Sequence, residues 1–429
     1  MFMGRNDEKK NIDKEKSFSR KKKKLIIKQK KHTKVHDTFI EKSNKFNIIE
    51  VIIIIIISVI FGLVVGWVLS SSKSFGTEVS LEVSEIVSTY ESILDNYYYE
   101  IDKGELADAA IKGMIGVLDD PYSLYMDSDD TNLFLENVNG SFVGIGISVE
   151  WSNNQFKIVD VIKDSPADES KIEINDYIIK VNENDVSGLS LEELSNLIKG
   201  KVGTKVSLTL LRGEDVVNVI VTRDNVAVPS VNSYVLVNNI GYIFIESFTE
   251  NSGIQFKEAL KSLEKQSINS LIIDVRDNPG GKLGQVNKIL DVFLDKKHVL
   301  YQIVNKDDNT KIYADSSDKK DIPIVVLVNH NSASASEILA SSFQDNYDNA
   351  TIVGSVTYGK GTIQKAVELS SGSSIKYTTQ KWLTPKGKWI NEIGIIPDEV
   401  ITQSDLYSSD KSYDNDLQLQ KAVEILKNK

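Results

Sequence analysis

Ile322-Pro323-Ile324-Val325-Val326-Leu327-Val328, running into Asn329-His330-Asn331-Ser332-Ala333-Ser334-Ala335-Ser336-Glu337, is the stretch on which the fold turns. Its unbroken apolar run reads as a strand buried on both faces, and the small residues after it lead into a helix. Similar runs occur at Gly241-Tyr242-Ile243-Phe244-Ile245 and Leu271-Ile272-Ile273-Asp274-Val275, with helical spacing over 253–265, 283–294 and 335–344. That alternation predicts an α/β layer fold from Val231 onward. Ser334 stands at the strand-to-helix step, and Lys360 follows in Tyr358-Gly359-Lys360-Gly361-Thr362-Ile363-Gln364. A serine hydroxyl attacks carbonyls only when a base takes its proton. A lysine can be that base if desolvation or nearby positive charge lowers its pKa from about 10.4.

The residues alone leave other readings open. Ser334-Ala335-Ser336-Glu337 is also a capping box, in which the hydroxyl only caps a helix. Gly354 to Lys360 has the G-x-x-x-x-G-K spacing of a phosphate loop, but Gly361 stands where Ser or Thr would hold magnesium. Asn278-Pro279-Gly280-Gly281 reads as a plain turn, or as backbone able to approach a substrate carbonyl. His330 precedes Ser334 and reads as a turn residue, and no two histidines have metal-ligand spacing. Neither a metal nor a cofactor is expected.

Toward the N-terminus, Val51 to Leu69 carries no charge and is long enough to span a bilayer, unlike the shorter apolar core of a signal peptide. Of 50 basic and 61 acidic residues, the first 50 positions hold 16 and 7, leaving 34 and 54 for the remainder. The basic tail therefore belongs in the cytoplasm, and the rest of a single-pass chain outside it. The tail reads as a solvated topogenic segment rather than a nucleic-acid arm. With no cysteine, the ectodomain relies on core burial for stability. The divisions expected are a tail (1–47), an anchor (48–70), a helical region (71–140), a small mixed domain (141–226), an α/β core (227–403) and a C-terminal helical region (404–429).

The small mixed domain resembles a PDZ domain. Val143-Gly144-Ile145-Gly146 is similar to the loop that receives a chain-terminal carboxylate, and the following strand would pair with the bound peptide. Lys171 and Asn175 stand where such bacterial domains usually place glycine, so the turn at Lys171 is expected to differ. From about residue 80 to the end the chain resembles the C-terminal processing peptidases, or tail-specific proteases. The resemblance rests on Leu118-Asp119-Asp120-Pro121-Tyr122-Ser123, the PDZ segment, Asp274-Val275-Arg276-Asp277-Asn278-Pro279-Gly280-Gly281, the Ser334 and Lys360 segments, Leu383-Thr384-Pro385-Lys386-Gly387 and Gly394-Ile395-Ile396-Pro397-Asp398.

The resemblance implies a crotonase/ClpP-like α/β core and a serine endopeptidase acting on protein substrates with free C-terminal tails. It implies Ser334 as nucleophile, Lys360 as general base and Gln364 as the residue orienting the lysine. Its oxyanion donors would be the N–H of Gly280 or Gly281 and that of Ala335. Asp345 lies where the family has a suspected helper, but reads as a helix-end carboxylate. The resemblance also implies a homodimer built from the helical parts and a PDZ domain that gates the site, with Arg212 as a candidate link. Two departures fall in the catalytic segment: Asn331 replaces a usual glycine, and Asn346 to Ala350 makes the Ser334 to Lys360 interval one residue longer. The alternative from another class is a catalytically silent PDZ scaffold.

Overall fold

The computed structural model describes residues 80–429 apart from 405, 406, 408 and 410. The basic tail and the Val51 to Leu69 segment lie outside the described residues. Among the described ones no helix is long and apolar enough to cross a membrane. Helix α1 (Leu81–Asn96), N-capped by Ser80, lies in a compact unit that ends at Glu100, and none of its residues is buried. The second unit begins at Ile101 and contains everything else described below.

That unit opens with α2 (Lys103–Gly116), strand β1 (Leu124–Met126) and α3 (Ser128–Asn139). The strand is a departure from the all-helical region expected there. It forms because Leu124, Tyr125 and Met126 pair with Lys376, Ile375 and Ser374 on the edge of a sheet far along the chain.

The small mixed domain comprises β2 (Ser141–Gly144), β3 (Ile147–Ser152), β4 (Gln155–Val161), α4 (Pro166–Glu169), β5 (Tyr177–Val181), β6 (Asn184–Asp185), α5 (Leu191–Ile198), β7 (Lys205–Arg212), β8 (Asp215–Thr222) and β9 (Asp224–Ala227). Its main sheet runs β3-β4-β5-β7-β8, while β2 pairs with β9. Alternate residues of β7, Val206, Leu208 and Leu210, meet Leu194 and Ile198 of α5 in one core. The turn at Lys171, expected to differ, keeps the left-handed backbone a glycine would take, φ 61°, and Asn175 does the same at φ 76°. Arg212 Nη2 holds the first of these by donating to the Lys171 carbonyl at 2.8 Å.

The α/β core continues with β10 (Val231–Leu236), β11 (Ile240–Ile245), α6 (Ser252–Glu264), β12 (Ser270–Asp274), α7 (Leu283–Leu290), β13 (Val299–Val304), β14 (Asn309–Tyr313), β15 (Ile324–Val328), α8 (Ala335–Asn346), β16 (Ala350–Gly354), β17 (Thr362–Glu368), β18 (Ser374–Leu383), β19 (Glu399–Val400) and α9 (Leu417–Lys427). One sheet runs β10-β11-β12-β15-β16-β19, parallel except for β10. The other joins β1-β18-β13-β14, with β17 on β18. The apolar runs are continuous because both faces of the first sheet are covered. Ile243, Ile273, Val326 and Val328 pack with α6, α7 and α8 on one side. Ile272, Val325 and Leu327 meet Leu419, Ala422, Val423 and Leu426 of α9 on the other. The segment from Asn346 to Ala350 lies at the end of α8 remote from Ser334, where the buried Tyr347 hydroxyl accepts from Ile322 N–H at 3.0 Å.

Helix α9 is also fixed by charge. Arg276, just past β12, pairs with Asp274 at 2.6 Å and with Asp416, the N-cap of α9, at 2.8 Å, and all three are buried. Burial opposes ionisation of Asp416, but the hydrogen bond and charge of Arg276 hold its pKa below the ordinary value. The stabilisation from Asp416 is therefore full above about pH 4 and fades as pH falls through its lowered folded pKa. Replacing Asp416 by Asn should cost about 3 kcal/mol at neutral pH, and the gap should close in acid. Urea unfolding of both proteins between neutral and acidic pH measures it, and a gap that persists undiminished in acid would contradict this account.

Candidate active site

Three loops leave the carboxyl ends of β12, β15 and β16 side by side, the usual place for a site in a parallel sheet. The β15 exit carries the three alternating serines, and the structure uses them differently. Ser332 Oγ donates to Val275 O at 2.7 Å and Ser336 Oγ to Asn278 O at 2.9 Å, so both fully buried hydroxyls staple the β12 exit to the β15 exit. Ser334 Oγ has no hydrogen-bond partner among the described residues and is only partly buried. Its hydroxyl does not cap α8, because the Glu337 N–H bonds the Ser334 carbonyl instead, at 2.9 Å. Ser334 takes φ 55° and ψ −110°, a backbone state that costs on the order of 1–3 kcal/mol for a residue with a side chain.

Glu337 holds that backbone in place. The carboxylate is fully buried and accepts four hydrogen bonds: Ser334 N–H at 2.8 Å, Thr357 Oγ1 at 2.6 Å, Gly359 N–H at 2.7 Å and Lys360 N–H at 2.9 Å. One side chain thus joins the Ser334 peptide to the Lys360 peptide. Burial pushes its pKa up against the lowering effect of these donors. Sequence reasoning saw Glu337 only as a capping-box partner. The S-x-x-E signal was present, but not its link to the lysine loop.

Lys360 follows on the β16 exit, where its carbonyl accepts from Trp382 Nε1 at 2.7 Å. Its amine lies 4.7 Å from the centroid of the Tyr122 ring and makes no hydrogen bond to a described residue. Desolvation, reinforced by the charge of Lys376 on β18, lowers its pKa, against the opposing pull of Asp120 and Glu337. The structure does not bring Gln364 onto the lysine as expected. Its Nε2 donates to Thr362 Oγ1 and Thr378 Oγ1, each at 3.0 Å, beside an irregularity in the β17–β18 register.

The glycine turn narrows the choice of N–H donors. Gly280 lies so close to the nucleophile that a Cβ there would meet Ser334 Cβ at 2.9 Å and Ala335 N at 3.0 Å, with φ at 102°. Its own N–H is engaged by Asn278 Oδ1 at 2.9 Å, so it is not free to serve as the donor considered for it. The Gly281 and Ala335 N–H groups have no acceptor among the described residues. Asn331, in its glycine position, donates through Nδ2 to Asp277 at 2.8 Å and ties the β12 and β15 exits together. Asp345 accepts from Lys386 Nζ at 3.1 Å at the surface, away from this constellation. His330 is exposed in its turn.

A groove lies in the small domain. Gly144, Ile145 and Gly146, with Phe142, Ile147, Leu191, Leu194 and Ile198, line a groove of about 240 Å³ that Ser195 and Lys199 also border. Val143 is instead paired with Asn225 in the β2–β9 ladder. Ala167 N–H and Ile162 N–H hold the carbonyls of Ile145 and Gly146 at 2.8 and 2.9 Å, while the Ile145 and Gly146 N–H groups have no described acceptor. A side chain at Gly146 would strike Ser165 Cβ at 2.3 Å. Arg212 pairs within this domain, with Asp176 at 2.7 Å and Glu173 at 2.6 Å, and makes no contact with the serine site.

Three family models match stretches of the chain. Residues 239–401 match the model of peptidase family S41, 143–222 that of the PDZ domain, and 68–130 that of the activating protease CtpB N-terminal domain. The chain is 42% identical over 310 residues to the carboxy-terminal processing protease CtpA of Bacillus subtilis, covering 72% of this chain and 66% of that one, just under two thirds. It is 37% identical over 335 residues to CtpB of the same organism, covering 76% and 69%. A probable CtpA-like serine protease of Staphylococcus haemolyticus is 37% identical over 340 residues, covering 77% and 68%.

Replacing Glu337 by Gln would turn one acceptor oxygen into a donor facing two of its four present donors. It should cost about 3 kcal/mol of stability in urea unfolding. A Gln variant as stable as the parent would show that the clip carries no weight.

Proposed function

The chain belongs to the carboxy-terminal processing proteases of peptidase family S41, a family of serine peptidases, and from that premise we propose that Ser334 and Lys360 form its catalytic dyad. The observation that carries the reading is the free Ser334 hydroxyl beside two unengaged N–H groups, its backbone clipped to that of a desolvated lysine. Neutral Lys360 accepts the Ser334 proton as Oγ adds to the substrate carbonyl. The carbonyl oxygen becomes an oxyanion held by the Gly281 and Ala335 N–H groups at the start of α8. The C–N bond then breaks, the ammonium returns the proton to the leaving amine, and an acyl ester remains on Ser334. Water, deprotonated by the same lysine, releases it. The Gln364 carboxamide oxygen, which has no described partner, is the acceptor we assign to the lysine as it turns toward Ser334.

The substrate in this reading is an extracytoplasmic protein with a free apolar C-terminal tail. Its carboxylate would meet the Ile145 and Gly146 N–H groups, and its last residues would add a strand to β3. The anchor at Val51 to Leu69 would place the enzyme at the cell membrane with the N-terminus in the cytoplasm. Leu81, Val83, Ile86 and Val87, exposed on α1, suit a homodimer of the helical parts.

Ser334→Ala and Lys360→Ala should each abolish casein digestion, with the double variant no worse than either. Lys360→Arg should be equally inactive, because guanidinium keeps its proton. The parent rate should rise with pH through a pKa below the ordinary lysine value, since only the neutral amine is competent. Digestion surviving in Ser334→Ala would overturn Ser334 as the nucleophile, whereas a parent that neither digests casein nor forms a fluorophosphonate adduct at Ser334 would favour the silent scaffold.

Recognition has its own test. Amidating a substrate's terminus, or placing a negative charge in the groove by Ser195→Glu, should slow cleavage of long tailed substrates at least about tenfold more than of short peptides. Equal losses for both substrate lengths would remove the groove from tail recognition.

A further inference from the structure

Tyr122 lies in the Asp120 to Ser123 turn, before β1, and its ring face carries the Lys360 amine. The turn is firmly built. Asp120 accepts from Tyr122 N–H at 3.1 Å and from Ser123 Oγ at 2.5 Å, and Ser123 Oγ in turn accepts from Thr378 N–H at 3.2 Å. Thr378 is the residue whose hydroxyl accepts from Gln364. The turn therefore touches the lysine directly through the Tyr122 ring and is linked to the glutamine through Thr378. Resting on the dyad assignment, we propose that Tyr122 is a positioning residue for Lys360, its ring receiving the ammonium in the enzyme without substrate and releasing the amine when it is neutral.

The argument is one of charge selectivity. An aromatic face attracts a cation through its quadrupole and has no comparable hold on a neutral amine. The other charged or titratable groups around the amine are Lys376 on β18, Asp120 in the turn, Glu337 on α8 and the phenols of Tyr122 and Tyr358. Lys376 repels the ammonium, whereas Asp120 and Glu337 favour it without reaching hydrogen-bonding or ion-pairing distance. The ring is thus the one partner of the ammonium head, by hydrogen bond, ion pair or ring contact, among the described residues. Deprotonation loosens that contact and leaves the amine free to reach Ser334. The Tyr122 phenol stays protonated, pushed up to about 12 by burial and by the neighbouring Tyr358.

The test keeps the side chain's size and alters only its quadrupole. The full chain is made with phenylalanine, 4-fluoro-, 3,4-difluoro- and 3,4,5-trifluorophenylalanine at position 122, and fluorophosphonate labelling of Ser334 is followed against pH. A weaker ring favours the charged amine less, so the acidic limb should move stepwise to lower pH, by about half a unit to one unit across the series. Urea midpoints of the same proteins report any loss of folding separately. A limb that stays in place or rises across the series overturns the proposal. If Ser334→Ala or Lys360→Ala retains activity, the dyad reading fails first. If both are inactive while the limb ignores fluorination, the dyad stands and only the role of Tyr122 falls.

Discussion

The Glu337 carboxylate is the constraint on which the site depends. Buried carboxylates are costly unless donors surround them, and here the donors are the backbone of Ser334, the backbone of the Lys360 loop and the Thr357 hydroxyl. Satisfying Glu337 therefore requires the β15 and β16 exits to meet at one distance. It also stabilises the unfavourable backbone state of Ser334, which projects the hydroxyl away from the cap it would otherwise complete. Ser332 and Ser336 perform the corresponding task toward the β12 exit, where Gly280 lies against Ser334. Three strand ends become one site through side chains that take no part in the chemistry.

The lysine is held less rigidly than the serine. Its backbone is fixed by Glu337 and Trp382, but its amine is held by a ring face and by distant charges. This asymmetry suits the base of the proposed dyad, which would change both charge and position during a cycle. A hydrogen-bonded ammonium would resist deprotonation more strongly than one resting on an aromatic face.

The strands were legible because both faces of the core sheet are buried, so Ile324 to Val328 and Leu271 to Ile273 carry no polar interruption. Ser334 and Lys360 were legible for a different reason: each sits in a short local pattern at a strand exit. What stayed hidden is non-local. β1 has no strand signal of its own and exists only because β18 offers an edge. Tyr122 was visible in a motif but carried no sign of the lysine it touches. The Arg276–Asp416 pair joins residues whose proximity no spacing reveals. Gln364 makes no contact with the lysine amine here because its amide follows the Thr362 and Thr378 hydroxyls around a register shift that no motif reveals.

The PDZ domain meets the core next to the oxyanion turn, and this bears on how the two could communicate. Gly140, at φ 61°, ends α3 where any side chain would strike Thr249, and its carbonyl accepts from Val228 N–H at 2.8 Å where the chain leaves the domain. Asn139 beside it accepts from Lys282 Nζ at 2.9 Å, and Lys282 also pairs with Glu250. Lys282 follows Gly281 directly in the chain. Both connections of the PDZ domain thus lie within a few residues of a candidate oxyanion donor, while the Glu337 clip isolates the nucleophile in a buried, fully bonded frame. Displacement of the domain would be felt first at Gly281, whose neighbours are a surface ion pair and an amide, and last at Ser334.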